Sequence, residues 1–96
     1  MPENFYVNTV GAVSSTKLSE AIELGKKLTA ESKAAGSERA SIGTIMTGNN
    51  AGSVVFRQFF NSLDDFANVM DAFATSSTYG KIMETGLKVT MRNVAK

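Results

Sequence analysis

Apolar and polar positions alternate between residues 5 and 13, which is the period of a half-buried β-strand. Its two predicted faces hold Phe5, Val7 and Thr9 on one side, and Tyr6, Asn8 and Val10 on the other. Gly11 and the Ser-Ser-Thr run at 14–16 end the strand, and Ser15 or Thr16 could cap a helix that follows.

Two longer segments have the apolar stripe of an amphipathic helix. The first is predicted over residues 17–35 and ends at Gly36, a residue that adopts positive φ without a Cβ penalty. Gly25 lies within its stripe, which a close approach of the helix to the sheet would explain. The second helix begins after Ser62, where Asp65 three residues later gives a capping-box pattern. A short extra helical turn is predicted over residues 79–85.

The remaining segments predict three more strands. Residues 40–47 and 53–61 are joined by Gly-Asn-Asn-Ala-Gly, whose glycines and asparagines tolerate the backbone of a β-hairpin turn. In the last strand Leu87, Val89 and Met91 alternate with Lys88, Thr90 and Arg92. The order βαββαβ predicts an α+β fold, the ferredoxin-like plait, in which two helices cover one face of a four-stranded antiparallel sheet.

The other face of this sheet needs an explanation. On the predicted register the covered face takes Leu87, Val89 and Met91, and the open face takes Lys88, Thr90 and Arg92. The two hairpin strands are apolar on both sides, which is typical of strands buried on both sides. We favour a second copy that packs sheet to sheet; the alternative is a mildly apolar face in contact with water.

The composition limits the classes of function that the chain can have. The 96 residues predict one domain, residues 1–96, and 43% of them are apolar. A net charge of +1 without a basic run argues against a nucleic-acid partner. Neither cysteine nor histidine is present, which excludes thiolate and imidazole catalysis and the metal sites built from them, so no metal or cofactor is expected. No apolar run has the length of a membrane span and no signal peptide is evident, so we expect a soluble, cytoplasmic protein.

The chain resembles the dimeric α+β barrel superfamily, and is similar to small antibiotic-biosynthesis-monooxygenase-like proteins of unknown function. The resemblance covers nearly the whole chain. It rests on the element order, the long first helix, the run VFRQFFNSLDDF at 55–66 and the run YGKIM at 79–83. It implies a homodimer whose sheets form a barrel, with a pocket between sheet and helices in each subunit. Family members often use a histidine on the second helix; residues 66–70 read FANVM, which argues against a haem role.

Seven side chains are candidates for binding a small hydrophobic or aromatic molecule in such a pocket: Tyr6, Asn8, Arg57, Gln58, Phe59, Tyr79 and Arg92. As catalytic candidates, Asn8 or Arg57 could stabilise an enolate or phenolate oxygen, and Tyr79 could donate a proton. Each also has an ordinary structural interpretation, such as an interface ion pair or a cross-strand hydrogen bond. Two functions stay open: binding of a small hydrophobic molecule, or a cofactor-independent monooxygenase or isomerase reaction on it.

Overall fold

The chain folds as a strand, a helix, two strands, two helices and a final strand. The computed structural model describes residues 4–46, 48 and 52–95. Its elements are β1 (Phe5–Ala12), a 3-10 turn (Ser15–Lys17), α1 (Leu18–Ala35), β2 (Arg39–Thr44), β3 (Val54–Phe60), α2 (Leu63–Ala74), α3 (Ser77–Glu84) and β4 (Lys88–Ala95). The predicted ferredoxin-like plait is confirmed, and the extra turn predicted over 79–85 is the helix α3.

The four strands form one antiparallel sheet in the order β2-β3-β1-β4. The predicted hairpin turn at 48–52 lies mostly outside the described residues. At its edge the Ile45 amide donates to the Ser53 carbonyl (2.9 Å), and the Gly52 amide donates back to the Ile45 carbonyl (2.8 Å). These bonds continue the pairing of β2 with β3 to the start of the turn.

Of the three helix-end features predicted from the sequence, the structure contains two. The Ser62 hydroxyl accepts a hydrogen bond from the Asp65 amide (3.1 Å) and caps α2 as predicted. Gly36 adopts φ 147° at the end of α1 and its amide donates to the Ser32 carbonyl (3.1 Å). The predicted cap of α1 by Ser15 or Thr16 is wrong, because residues 15–17 form the 3-10 turn and no side chain caps α1.

The core lies between the sheet and the helices. Its buried side chains are Phe5, Val7, Phe60, Leu28, Val69 and Phe73. Helix α1 lies very close to the sheet at Gly25, where an added Cβ would stand 1.9 Å from Ile42 Cδ1. The glycine in the apolar stripe is therefore explained by close packing. Gln58 is buried in this layer and donates to the Ser32 hydroxyl (3.0 Å), which is also buried and hydrogen-bonds the Ser37 hydroxyl.

A β-bulge in β4 changes the predicted facing of its second half. Val10 pairs with Met91, but the next residue, Gly11, pairs with Val89, so Thr90 is an extra residue on β4. A bulge shifts the alternation of side chains by one position. Beyond Thr90, each side chain of β4 therefore faces the side opposite to the one predicted.

Two predicted facings are wrong for this reason. Arg92 was expected on the open face, but it pairs with Thr9 on the helix side of the sheet and donates from Nε to Thr9 Oγ1 (3.2 Å). Met91 was expected under the helices, but it pairs with Val10 on the open face and is 46% exposed. Before the bulge, Val89 faces the helices as predicted.

In the described part of the chain, no helix combines the length and the apolar character needed to cross a membrane. Within the same residues, no group of three metal-binding side chains comes together. The cytoplasmic location stays a prediction.

Candidate functional site

A cavity of about 290 Å³ lies between the sheet and the helix layer, and we call it the inner pocket. Every strand and every helix of the fold contributes to its wall. Its main apolar lining consists of Leu28, Ile42, Phe56, Met70, Phe73 and Ile82. Ligand pockets are typically apolar cavities with a few placed polar groups, and this one has that character.

One wall of the inner pocket is a row of stacked aromatic rings. Phe56 and Phe73 have ring centroids 6.2 Å apart at an interplanar angle of 28°. Phe73 and Tyr79 are 5.6 Å apart at 25°. Nearly parallel, offset rings are one of the preferred arrangements of aromatic side chains, so the three rings pack on one another. They give the inner pocket an aromatic wall.

Four polar side chains reach the inner pocket, namely Thr9, Gln58, Tyr79 and Arg92. Gln58 is 2% exposed and its amide nitrogen already donates to Ser32. Arg92 uses Nε for Thr9, and its two terminal nitrogens make no hydrogen bond with the described residues. Arg92 therefore keeps N–H donors that the described residues do not use.

The end of the chain from Leu87 onward forms an exposed wall of the inner pocket. Leu87, Val89 and Arg92 line the cavity, yet all eight residues of β4 are exposed. Val89 is 44% exposed and Val94 is 64% exposed. The strand is an edge of the sheet, with its pairing partner β1 on one side. Apolar side chains on a long exposed edge strand are usually covered by another segment or another chain.

The side of the sheet away from the helices, which we call the outer face, holds the other predicted residues. The rings of Tyr6 and Phe59 lie 4.7 Å apart on neighbouring strands. Arg57 Nε donates to Asn8 Oδ1 (3.0 Å), and Asn8 Nδ2 donates to Asn93 Oδ1 (3.2 Å). These contacts form a continuous polar and aromatic surface across three strands.

The seven predicted site residues therefore fall into two groups. Gln58, Tyr79 and Arg92 line the inner pocket. The other four do not line this pocket and lie on the outer face: Tyr6, Asn8, Arg57 and Phe59. Neighbouring residues on a strand face opposite sides, so Arg57 and Gln58 could not serve the same pocket.

Sequence reasoning missed residues in both places. Thr9 lines the inner pocket and binds Arg92; its position on the same strand face as Phe5 and Val7 was the available signal. On the outer face, Arg39 lies with its guanidinium carbon 4.7 Å from the centroid of Phe59. Arg39 lies just before the predicted strand at 40–47 and is the first residue of β2 in the structure, and nothing local in the sequence indicates its contact with Phe59.

Solved structures with the same fold are numerous and distant in sequence. A conserved protein of unknown function from Bacteroides thetaiotaomicron, described as a possible oxidoreductase, superposes with a TM-score of 0.73 at 14% identity, covering 98% of this chain and 97% of that one. A candidate antibiotic biosynthesis monooxygenase from Nitrosomonas europaea gives 0.68 at 12% identity, with 99% and 88% covered. Another such candidate from B. thetaiotaomicron gives 0.65 at 11%, with 98% and 87% covered.

The fold of these neighbours is the ferredoxin-like plait of antibiotic-biosynthesis-monooxygenase-like proteins, as the sequence resemblance implied. At these identities the likeness establishes architecture and leaves activity open. No curated protein matches the chain in sequence. One family model matches residues 3–96, and the chain belongs to that family, the domain of unknown function DUF6854.

Proposed function

We propose that this protein is a homodimer that binds a small, flat, largely apolar organic molecule in the inner pocket. The observation that supports it best is that one apolar cavity is lined both by the stacked rings of Phe56, Phe73 and Tyr79 and by Arg92. A flat ring would lie against the aromatic wall, and an oxygen at its edge would accept hydrogen bonds from Arg92. A phenol, an aromatic ketone or an aromatic acid has this chemistry.

The size of the cavity limits the ligand. A volume of about 290 Å³ is at the lower end of small-molecule pockets, which span roughly 300–1,000 Å³. Gly11 is part of the wall, and an added Cβ there would stand 2.7 Å from Leu87 Cδ2. The wall is thus tightly packed at this point. We expect small aromatic compounds to bind and large polycyclic ones to be excluded.

The dimer is proposed from the exposure of β4. Val89, Met91 and Val94 are all exposed by 44% or more on a strand that forms one edge of the sheet. A second copy placed against β4 would cover these side chains, including Val89 in the wall of the inner pocket. The resemblance to dimeric α+β barrels favours a dimer whose contact also includes the sheet face, and the double-sided apolar pattern of β3 favours that part of the contact.

Catalysis is a second candidate, favoured by the same arginine. A guanidinium with free N–H groups at an apolar pocket could stabilise an enolate or phenolate oxygen, as a cofactor-independent monooxygenase or isomerase requires. The names of the neighbours from N. europaea and B. thetaiotaomicron point in this direction. Oxygen consumption, or rearrangement of an added phenol at a rate proportional to protein concentration, would favour this candidate over simple binding.

The binding proposal is tested with 2-naphthol as the probe, by following its fluorescence as protein is added. Arg92→Gln removes the charged donors and is expected to weaken binding about tenfold or more, the usual effect of losing a charge-assisted hydrogen bond. Lys88→Gln is the matched control, since it makes the same change of charge on the same strand, opposite Ala12. Equal affinity of the two variants would show that Arg92 does not bind the probe. The absence of saturable binding to the wild type would refute the proposed binding in the inner pocket.

A further inference from the structure

The outer face of the sheet divides into an apolar half and a polar half. The register of the strands places one row of small and apolar residues together, consisting of Gly43, Val55, Val10 and Met91. The next two rows hold Ser41, Arg57, Asn8 and Asn93, and then Arg39, Phe59 and Tyr6. The division follows the rows across the sheet, so the polar half is a continuous surface over neighbouring strands.

A cleft of about 330 Å³ lies where the polar half of the outer face meets the β2 edge of the sheet, and we call it the cationic cleft. Three cations line it, namely Lys33 from α1, Arg39 from β2 and Arg57 from β3. The rings of Tyr6 and Phe59 also line it. The cations come from three separate elements, so the fold brings together charges that are far apart in the sequence.

Aromatic rings hold both guanidinium groups of the cleft. The guanidinium carbon of Arg39 lies 4.7 Å from the centroid of Phe59, and that of Arg57 lies 5.7 Å from the centroid of Tyr6. A guanidinium that stacks on a ring keeps its N–H edges available for a ligand, and stacking reduces the freedom that binding would otherwise remove. Arg57 is held further by its hydrogen bond to Asn8 (3.0 Å).

No carboxylate neutralises these charges among the described residues. The ion pair found there joins Lys26 and Glu23 on α1, away from the cleft. Three positive groups converging in one cleft repel one another, and the repulsion is relieved when an anion binds between them. The protein as a whole has a net charge of +1, so this concentration of charge is local.

We propose that the cationic cleft binds the phosphate group of a small phosphate monoester. Two guanidinium groups suit bidentate contacts to phosphate oxygens, and Lys33 adds a third charge that suits a dianion better than a carboxylate. Tyr6 and Ser41 also line the cleft, and the Tyr6 hydroxyl accepts a hydrogen bond from Arg39 Nη2 (3.4 Å). We expect a small ester because the three cations lie within one cleft. Nucleic acid would instead require cations along an extended path.

A second copy of the chain is a poor occupant of this cleft. A two-fold axis through the polar half would bring two sets of Arg39 and Arg57 together with no carboxylate among them. Like charges placed opposite one another in an interface cost several kcal/mol. The proposed dimer contact therefore belongs on β4 and the apolar half, which leaves the cationic cleft open. The phosphate site and the inner pocket lie on opposite faces of the sheet, and either proposal can fail without the other.

The test is a titration of the ¹⁵N-labelled full chain, followed by amide shifts at constant ionic strength. The probes are phenyl phosphate, inorganic phosphate and benzoate, with chloride as the ionic-strength control. We expect phenyl phosphate to shift the amides of residues 39–41 and 57–59 in a saturable way, and benzoate to bind more weakly. Saturation by inorganic phosphate as well would assign the recognition to the phosphate group alone. Shifts that do not saturate, or that spread evenly over the surface, would overturn the proposal.

Variants separate a built site from general attraction of anions. Arg57→Gln and Lys33→Gln, which lie on different elements, are each expected to weaken phenyl phosphate binding, Arg57→Gln by about tenfold or more. Arg57→Lys keeps the charge but loses the bidentate geometry, and should recover part of the affinity. Lys81→Gln on α3 makes the same change of charge outside the cleft and should bind like the wild type. A weakening by Lys81→Gln as large as that by Arg57→Gln would refute the site.

Discussion

The contact between Gly25 and Ile42 gives the sharpest test of how closely α1 packs on the sheet. A Cβ at position 25 would lie 1.9 Å from Ile42 Cδ1 and 3.2 Å from Ile42 Cγ1. Carbon atoms pack best at about 3.5–4.0 Å, so in a Gly25→Ala variant the δ methyl must move by about 1.5 Å or more. Ile42 lines the inner pocket, so the methyl turns into that cavity or the helix lifts.

Two effects of opposite sign decide the stability of Gly25→Ala. Alanine favours the helix over glycine by about 1 kcal/mol. Overpacking at a close contact costs about 1–3 kcal/mol, so the variant should lose roughly 0–2 kcal/mol. Ile42→Val removes Cδ1 and costs about 0.5–1.5 kcal/mol alone. In the double variant the worst clash is absent and the helix gain remains, so its stability should return close to that of the wild type.

The measurement is a double-mutant cycle by urea unfolding, followed by far-ultraviolet circular dichroism. All four proteins are compared at one protomer concentration, because association makes the midpoint depend on concentration. We expect the double variant to be more stable than the sum of the single changes by about 1–3 kcal/mol. Additivity within about 0.5 kcal/mol would show that the two side chains do not meet and that α1 stands further from the sheet.

Three further changes test the cap, the buried polar group and the proposed dimer. Ser62→Ala removes the hydroxyl that accepts from Asp65 and should cost about 1 kcal/mol of unfolding free energy, while Ser19→Ala on exposed α1 surface should not. Ser32→Ala leaves the Gln58 amide without its partner and should cost about 1–3 kcal/mol; a loss no greater than that of Ser19→Ala would contradict the buried network. Val94→Lys places a charge on exposed β4 and should shift sedimentation toward the monomer, whereas unchanged dimer mass would move the interface elsewhere.

The sequence predicts which side chains of β1 face the core because only one face of this strand is buried. Phe5 and Val7 are 5% and 2% exposed, and a strand with one buried face must show its alternation in the residue types. Strand β4 has no such constraint, since all of its residues are exposed. The apolar and polar residues of β4 alternate without interruption through Met91 and Arg92, so the sequence predicts a regular strand. The bulge at Thr90 leaves no sign in this pattern.

The candidate site was harder to predict than the fold. Gln58 is among the predicted pocket residues, but its burial and its hydrogen bond to Ser32, 26 positions earlier, were not predicted. The local sequence pattern around a residue does not indicate a hydrogen-bond partner so far away in the chain. The grouping of Arg39 and Lys33 with Arg57 in the cationic cleft could not be predicted for a similar reason. It depends on the packing of α1 beside β2, which is a property of the tertiary fold.

The bulge in β4 connects the inner pocket with the proposed dimer. Because Thr90 is extra, Val89 and Arg92 face the pocket although they are three positions apart, and Met91 joins the apolar half of the outer face. A regular strand with the same residues would turn either Val89 or Arg92 away from the cavity. One strand thus supplies the charged group of the pocket on one side and an exposed apolar side chain on the other. A second copy covering β4 would then enclose the ligand and bury Met91 in the same contact, so ligand affinity and dimer affinity are expected to rise together.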